Sequence, residues 1–527
     1  MLNATVLPLF RLILIYIGGM LLATHYSSYL FITLMVLLVP SLLYFCMRAT
    51  NTVLTWLHPI GLLLIFLIGY SNLLLQRAQQ KKLTHWTNKH VVGYSVCIQK
   101  VYHPLNCKAL ITHIKDNAGW HNTHASIQLY FRKQSDYKPK KGDRLLIRGA
   151  PVHSLPSESM QQADPFTSLH YSAMYRHVLK QVDQDFICLQ PFHERGKWAA
   201  AIKQWCGQTL QKRLKGKETM ALVARLLWGA KETVDPGLEK AYADTGTIHV
   251  LAISGLHVGM LYLLIKAVFS FLFRKIGLFM LSELCTLLWL WLYAGLCDFA
   301  PPILRETIMI TMARLGFLMG RGSNPYNGLL ASAFALLLWE PFVLFNCGFQ
   351  LSYVATLGIL YLQPLIHRFI ALKNRWLQKV WTATTLSIAA QASTLPLILY
   401  YFKQFPLYFI IANWLVVPAI FAILVLSLAL LVGSHLPIVG MLLGFTLEKL
   451  IFVTNALVCW MAKWPISTLA SCCINDRSAC LLYIILLALC LFIQYKQLIY
   501  PIIISLSTIF YTVNRMQHLI AKQKNVS

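Results

Sequence analysis

Charged side chains are scarce. Asp, Glu, Lys and Arg make up 12% of the 527 residues, about half the roughly 25% carried by soluble globular chains. That shortage excludes a water-soluble protein of this length. Negative charge is scarcer still: 19 acidic residues stand against 46 Lys and Arg, a formal charge of +27. No GxxxxGK[ST] occurs, so a P-loop nucleotide site is excluded and any ATP hydrolysis falls to a partner. HExxH and paired CxxC motifs are absent, so no metal and no cofactor is expected. A removable leader is also missing: Val6–Ala23 is interrupted only by Arg11 and lacks a basic start and a small-residue cleavage site, so it reads as a retained helix.

What is there is apolar. Hydrophobic residues reach 57%, and runs of about 20 recur, the length that crosses a hydrocarbon core of about 30 Å. The chain therefore reads as a polytopic α-helical membrane protein of roughly 13 apolar segments. Three lie in residues 1–75, at about Val6–Ala23, Leu30–Met47 and Val53–Leu75. The loop Thr24–Tyr29 has no Lys or Arg, whereas the next carries Arg48. Basic loops stay cytoplasmic, which puts the N-terminus inside and residues 76–195 outside. About ten more segments follow between 249 and 514, then a basic tail, 515–527, with Arg515, Lys522 and Lys524. An odd segment count puts that tail outside and its charge argues for inside; both readings stand.

Residues 76–195 form the only large polar region. Short β-prone runs recur there, at His90–Ile98, Ala109–Ile114, Ala125–Phe131 and Arg144–Arg148, separated by turn signals such as Asp116-Asn-Ala-Gly119 and Lys140-Lys-Gly-Asp143. That spacing predicts a small inserted β-rich domain, an OB-like barrel. It holds 17 Lys and Arg against 8 Asp and Glu. The excess lies outside, where the positive-inside rule does not explain it. Basic charge with Tyr94, Trp120, Tyr130, Phe131 and Tyr137 suits single-stranded nucleic acid, held by charge and stacking. The binding candidates are Tyr94, Trp120, Tyr130, Arg132, Lys133, Lys140, Lys141 and Arg144; against this, about half of the aromatics would serve as barrel core. Cys97 and Cys107, ten apart, form a disulfide if this side is oxidising, or remain two half-buried thiols. Residues 196–231 follow as a basic amphipathic helical segment. Trp198, Ile202, Trp205 and Leu210 mark one side, and Lys197, Lys203, Lys212, Arg213, Lys215 and Lys217 supply charge. It suits an anionic membrane surface, a docking helix or a funnel lip.

The residues with chemistry lie in the remainder, 232–514. The run His249-Val-Leu-Ala-Ile-Ser-Gly-Leu-His-Val-Gly259 opens an apolar segment that has no local need for polar groups. Ser254 and His257 share a helical face. A nucleophile and base so close on one helix rarely align, and no carboxylate sits nearby to orient the pair. Arg305 follows Pro301-Pro302 and can meet phosphates, or pair with Glu306 or Asp298. Gln350 and Ser352, Gln391 beside Thr394 and Pro396, and Asn413 before Pro418 repeat the theme. Each can simply knit helices; together, with breaking prolines, they suggest a polar path.

The stretch Thr245–Gly259 resembles the signature of the ComEC competence proteins. Leu226–Asp235, then Gly295, Pro302–Arg305, Asn327, Pro341, Gly348–Tyr353, Ala390-Gln391 with Thr394–Pro396, and Asn413 with Pro418 occur in family order. The N-terminal helices and a barrel ending in Lys141–Gly149 resemble the family's OB-containing region. The resemblance implies a channel in the bacterial cytoplasmic membrane that passes one strand of DNA inward during natural transformation. It implies, as partners, single-stranded DNA, membrane lipid, an extracytoplasmic DNA-binding competence protein, a separate nuclease, and a cytoplasmic ATP-driven translocase or single-strand-binding protein. Many members carry a metallo-β-lactamase-like domain with an HxHxDH cluster. No such cluster occurs here, so no nuclease and no enzyme is expected. His249, Ser254, Gly255 and His257 are expected to shape the pore, with Arg305, Gln350, Ser352, Gln391 and Asn413 lining it. The alternative is a polytopic membrane enzyme or transporter acting on an anionic envelope substrate.

Overall fold

A computed structural model describes residues 7–25, 63–74, 91–103, 106–116, 119–130, 142–148, 186–190, 197–230, 234–251, 253–274, 278–320, 324–470, 474, 476–496, 504 and 507. In chain order α1 (Leu7–His25) and α2 (Leu63–Leu74) come first. Five strands follow: β1 (Val91–His103), β2 (Asn106–Asp116), β3 (Gly119–Tyr130), β4 (Arg144–Arg148) and β5 (Phe186–Gln190). Three short helices come next: α3 (Lys197–Gln211), α4 (Lys217–Trp228) and α5 (Pro236–Asp244). A 3-10 turn at Ile248–Val250 leads into α6 (Gly255–Arg274), α7 (Phe279–Leu296), α8 (Pro301–Leu318), α9 (Pro325–Trp339), α10 (Cys347–His367) and α11 (Arg375–Phe402). The chain ends through β6 (Gln404–Pro406), α12 (Phe409–Gly433), α13 (Pro437–Ala462), β7 (Thr468–Ala470) and α14 (Asp476–Tyr495).

Seven of these helices, α6, α7 and α10 to α14, are long and apolar enough to cross a membrane. The chain is thus a mostly helical, multi-pass membrane protein. α8 carries Arg305, Glu306 and Arg314, and α9 has 15 residues; both fall short of that standard. The expected segment Leu30–Met47 and the tail 515–527 lie outside the described residues, so the count of about 13 is not reached among them. Pro364, Pro396 and Pro418 sit inside α10, α11 and α12. Each removes a ladder hydrogen bond, which membrane helices tolerate where neighbours meet the freed carbonyl.

The chain divides into two compact units. One comprises Met1–Ala201 with Arg305–Phe349; the other, Ile202–Leu304 with Gln350–Ser527. In the first, α1 packs on α9: Tyr16 donates to the Leu337 carbonyl at 3.1 Å and stacks edge-on against Phe334. Asn72 on α2 donates to the Tyr16 hydroxyl at 3.0 Å and the Leu338 carbonyl at 3.1 Å. α1 and α2 cross at glycine. A Cβ on Gly19 would strike the Phe66 carbonyl oxygen, and one on Gly69 the Tyr16 carbonyl oxygen. Small residues let membrane helices approach this closely.

The sheet of the same unit is wholly antiparallel, in the order β3-β2-β1-β4-β5. Arg144–Arg148 is the strand the sequence predicts; the first three run longer than their β-prone cores, and β5 has no counterpart among the expected strands. One face is core, with Tyr94, Val96, Ile98, Ala109, Ile111, Ile127, Leu129, Leu145 and Ile147 all buried. The long β1 has four irregularities against β2, and bulges of this kind bend and twist a strand.

In the second unit α12 and α13 form an antiparallel hairpin, and α4 and α5 pack on it. Asp235 caps α5 through the Leu238 N–H, and Tyr242 donates to Asn455 on α13 at 2.9 Å. The segment after α3 docks on the same hairpin. Arg213 donates to the Ser434 carbonyl at 2.9 Å and the Pro437 carbonyl at 3.4 Å. A cation at the end of α12 meets the negative end of its dipole. Glu448 accepts from the Lys215 and Gly216 N–H groups, at the head of α4. Of the three readings open for residues 196–231, docking therefore holds for its middle.

Candidate functional site

The 3-10 turn that carries His249 is set by the three residues before it. Gly246 has φ +78°, and a Cβ there would meet Pro406 at 2.7 Å and Phe409 at 3.1 Å. Only glycine adopts that conformation against those neighbours at no steric cost. Thr245 and Thr247 are buried, bond each other at 2.9 Å, and return to the carbonyls of α5. His249 then projects with Nδ1 3.2 Å from the Gly246 carbonyl, so Nδ1 carries the proton. Its side chain keeps accessible surface, yet surrounding protein pushes its imidazole below the usual value, against the pull of that carbonyl.

Ser254 stands just before α6, and its carbonyl accepts from the His257 and Val258 N–H groups. The Ser254 N–H donates to His257 Nδ1 at 3.0 Å, and the Ser254 hydroxyl lies 3.1 Å from the same nitrogen. This is a capping box with histidine in the place of glutamate: a side chain three residues into the helix returns to the cap N–H. The tautomer follows. A nitrogen that accepts a backbone N–H has no proton, so His257 is neutral and carries its proton on Nε2. Nε2 is buried and has no hydrogen-bond partner among the described residues. Sharing the Nδ1 lone pair with a backbone donor weakens it as a base for Ser254. Gly255, buried, is the first residue of the helix.

Of the remaining expected residues, two bridge helices. Gln350 on α10 accepts from Tyr401 on α11 at 2.8 Å, and Asn413 on α12 donates to Ser387 on α11 at 3.4 Å. Gln391 lies one turn beyond Ser387 on the same face. Its Nε2 and the Asn413 Oδ1 are buried without partners among the described residues. The Ser352 carbonyl accepts from Thr356. Arg305, in the other unit, is buried and lies 3.3 Å from Glu306; Asp298 pairs instead with Lys203 at 3.1 Å. Of the alternatives open for Arg305, the pair with Glu306 is present.

One constellation escaped the sequence reading. Lys266 on α6 and Glu283 on α7 pair at 3.0 Å inside two membrane-length helices, and Glu283 is buried. A lone Lys and a lone Glu, each in an otherwise apolar span, are the signal that would have found them.

Two expectations for the sheet need correction. Tyr94 is wholly buried in the inner face and has no surface on which a base could stack. Cys97 and Cys107 are free thiols. Cys97 pairs with Leu110, and Cys107 with Val101, so they stand four ladder positions apart, about 13 Å. Cys107 also belongs to the buried face and Cys97 to the other. A disulfide needs Cα atoms within about 7 Å and converging side chains. Burial first, then the charge of Asp143, pushes the Cys107 thiol up to about 12. Trp120 is half exposed, with the Lys115 ammonium 5.8 Å from its ring centre, and Arg144 is exposed. Arg132, Lys133, Lys140 and Lys141 lie outside the described residues, as does the side chain of Tyr130.

Seven membrane-length helices with histidine, glutamine, asparagine and an ion pair inside them define a polytopic helical membrane protein with a polar interior. The sequence profile of a family described as "Competence protein" matches residues 226–496, from α4 to the end of α14 and just over half of the chain; the chain belongs to this family. It is similar to ComE operon protein 3 of Bacillus subtilis (strain 168), 31% identical over 206 residues, 38% of this chain and 25% of that protein. It is also similar to an uncharacterized protein of Aquifex aeolicus (strain VF5), 28% identical over 161 residues, 30% of this chain and 37% of that protein. The matches thus span about a quarter and a little over a third of the curated relatives' lengths. No solved structure matches.

Proposed function

We propose that the protein is a channel of the bacterial cytoplasmic membrane that passes single-stranded DNA inward during natural transformation, and that it performs no covalent chemistry. One observation carries the reading. The stretch matched by the competence family is the same helical bundle whose apolar spans bury polar atoms that lack partners among the described residues: His257 Nε2, Gln391 Nε2 and Asn413 Oδ1. Buried polar atoms without partners are costly in a membrane, and a transported polyanion with polar base edges is a cargo that would meet them. The capping geometry of Ser254 and His257 supports a positioning role over a nucleophilic one. A five-stranded antiparallel sheet with a long, bulged first strand at its centre supports an OB-like barrel, and Trp120, Lys115, Arg144 and Arg148 exposed on it support capture of the strand. In this scheme the DNA is handed over by an extracytoplasmic binding protein, its complement is degraded by a separate nuclease, and a cytoplasmic translocase or single-strand-binding protein pulls.

The test follows labelled duplex DNA in competent cells with and without the gene, scoring surface or periplasmic DNA apart from cytoplasmic single strands. Loss of only the cytoplasmic strand is the expected result. Both signals unchanged would overturn the channel reading in favour of an enzyme or transporter of an anionic envelope substrate.

A further inference from the structure

The turn between α3 and α4, residues 212–216, is built into the middle of α13. A Cβ on Gly440 would meet the Arg213 Nε at 3.0 Å, and one on Gly444 the Arg213 carbonyl oxygen at 3.0 Å. The Arg213 guanidinium reaches back to the α12–α13 turn, but its backbone lies against Gly444. The next contact is deeper: Glu448 holds the N–H groups of Lys215 and Gly216. Glu448 stands eleven residues beyond Pro437 at the head of α13, about 16 Å along the helix and about half of a 30 Å hydrocarbon core. Within α13 eleven uncharged residues precede the pair Glu448-Lys449 and thirteen follow. α12, the other arm of the hairpin, has no charged residue at all. Exposed apolar side chains flank this level on both sides, Ile438, Met441 and Phe445 towards the turn and Phe452 and Val453 beyond, as suits a hairpin embedded in lipid.

What stands at half-depth is charged. Lys212, Lys215, Lys217 and Lys449 each belong to, or adjoin, a residue in these contacts. All four are exposed, and none is in an ion pair among the described residues. The acidic residues beside them are Glu448, engaged by two backbone N–H groups, and Glu218. Cations at this depth are costly in lipid, and such groups face a protein interior or a water-filled cavity. Snorkelling serves lysines near helix ends, and these are not near the ends of α13. Their exposure sets the interior aside and leaves water.

We propose that the α3–α4 turn lines an aqueous passage at half-depth of the membrane, and that Lys212, Lys215, Lys217 and Lys449 form in it a phosphodiester site for the backbone of the passing strand. The identity of the occupant rests on the channel reading; the passage itself does not. Pores for anions and phosphates are lined by Lys and Arg, and conduction needs several sites that release as well as bind. Four lysines spread over two helices and a turn offer a polyanion such a series, while Arg213 and Glu448 are occupied in fixing the turn to α13.

The passage is tested without DNA first. A maleimide reacts with a thiolate, which forms in water and not in lipid. The purified full chain in phosphatidylcholine nanodiscs, open on both faces, is treated with a neutral, water-soluble maleimide, and the modified peptides are read by mass. Lys215→Cys and Lys449→Cys should react at least tenfold faster than Leu442→Cys and Phe452→Cys, at exposed apolar positions of α13. Labelling of Lys215→Cys is then repeated with a thymidine dodecamer, with the same dodecamer on an uncharged methylphosphonate backbone, and with phosphatidylglycerol in the nanodisc. Only the phosphodiester dodecamer should slow it. In cells, glutamine at 212, 215 and 217 together should reduce cytoplasmic single strands at least tenfold, and arginine at the same three positions should restore them.

Four equally slow thiols would show that no water reaches the turn, and four equally fast ones that α13 is not embedded; either overturns the passage. Slowing by phosphatidylglycerol alone would overturn the strand as the occupant. A glutamine variant with the wild-type thermal midpoint and wild-type uptake, while deletion of the gene abolishes uptake, would overturn the lysine site and leave the channel reading intact. Deletion without effect on uptake would sink the channel reading, and the labelling would still decide the passage. Should the glutamine variant fail to fold, Lys449→Gln carries the same comparison with a smaller expected loss.

Discussion

At the scale of single residues, what a side chain does here depends on what already occupies its polar atoms. Ser254 and His257 look like nucleophile and base in the sequence; the structure gives the imidazole's lone pair to a backbone N–H. Their spacing was legible, but the cap was not, because it depends on where α6 begins. Lys266 and Glu283 show the converse. Removing one partner of a buried pair leaves a charge uncompensated and costs about 3 kcal/mol or more, whereas replacing both with apolar residues is close to neutral. Glu283→Gln or Lys266→Met alone should therefore lower the thermal midpoint of the purified protein markedly, and the double variant Lys266→Met/Glu283→Leu should recover most of it. Equal, additive losses would show that the pair is not coupled. Cys107 gives a second residue-scale expectation. Its thiol ionises only near 12, so the folded protein should leave it unalkylated at pH 8, and denaturation should expose it. The sign of its linkage follows: the unfolded thiol ionises near 8.5, so the sheet loses stability as pH rises from about 8.5 towards 12, and Cys107→Ser should flatten that decline.

At the scale of elements, period and length were legible and partners were not. β4 coincides with its predicted range, because its period-2 alternation of Arg144, Leu146 and Arg148 outside and Leu145 and Ile147 inside survives in three letters of pattern. Tyr94 obeys the same alternation and falls on the buried side; its aromatic character pointed to stacking only because the face was unknown. The glycines of α1 and α2 could not be read as a crossing without knowing that the two helices meet. Gly19→Leu forces a side chain into the Phe66 backbone and should separate the helices, with a large fall in the thermal midpoint. Gly18→Ala meets only the Phe66 ring at 3.9 Å and should be tolerated. α3 belongs to this scale too. Lys203 ties it to Asp298 just beyond α7, and Arg213 ties the segment after it to the turn between α12 and α13. The ties are ten residues apart, about 15 Å along a helix, and both lie at ends of membrane-length helices. Trp198, Ile202 and Trp205 remain exposed, as suits a helix at the lipid boundary. The indole fluorescence of Trp198 and Trp205, read as the difference from a variant with both replaced by Phe, should be quenched by lipids brominated near the headgroup and not by lipids brominated at the chain terminus.

At the scale of the whole molecule the governing quantity is charge: +27 in total, with a share of it displayed on the exposed face of the sheet. Along one row of that face, Arg148 pairs with Gly93, Gly93 with Lys115, and Lys115 with Trp120. Two cations flank a position with no side chain, beside an exposed indole. A strand lying across that row would set phosphates against the cations and a base against Trp120. Each phosphate neutralised on a single strand releases counterions and contributes about −0.7 to the slope of log K against log salt. A single loss of charge, Lys115→Gln or Arg148→Gln, should therefore make the slope for a thymidine dodecamer shallower by about 0.7, and losing both should make it shallower by about 1.4. Trp120→Ala should leave the slope unchanged and weaken binding by about 1–3 kcal/mol, the worth of one stacked base. The two kinds of change are separable by a salt titration of the purified full chain. If the charge variants shift affinity without moving the slope, the row does not touch phosphates; if Trp120→Ala moves the slope and not the affinity at low salt, the indole does not stack. A flat salt dependence in the wild type would mean that the basic face of the sheet serves some partner other than a nucleic-acid strand.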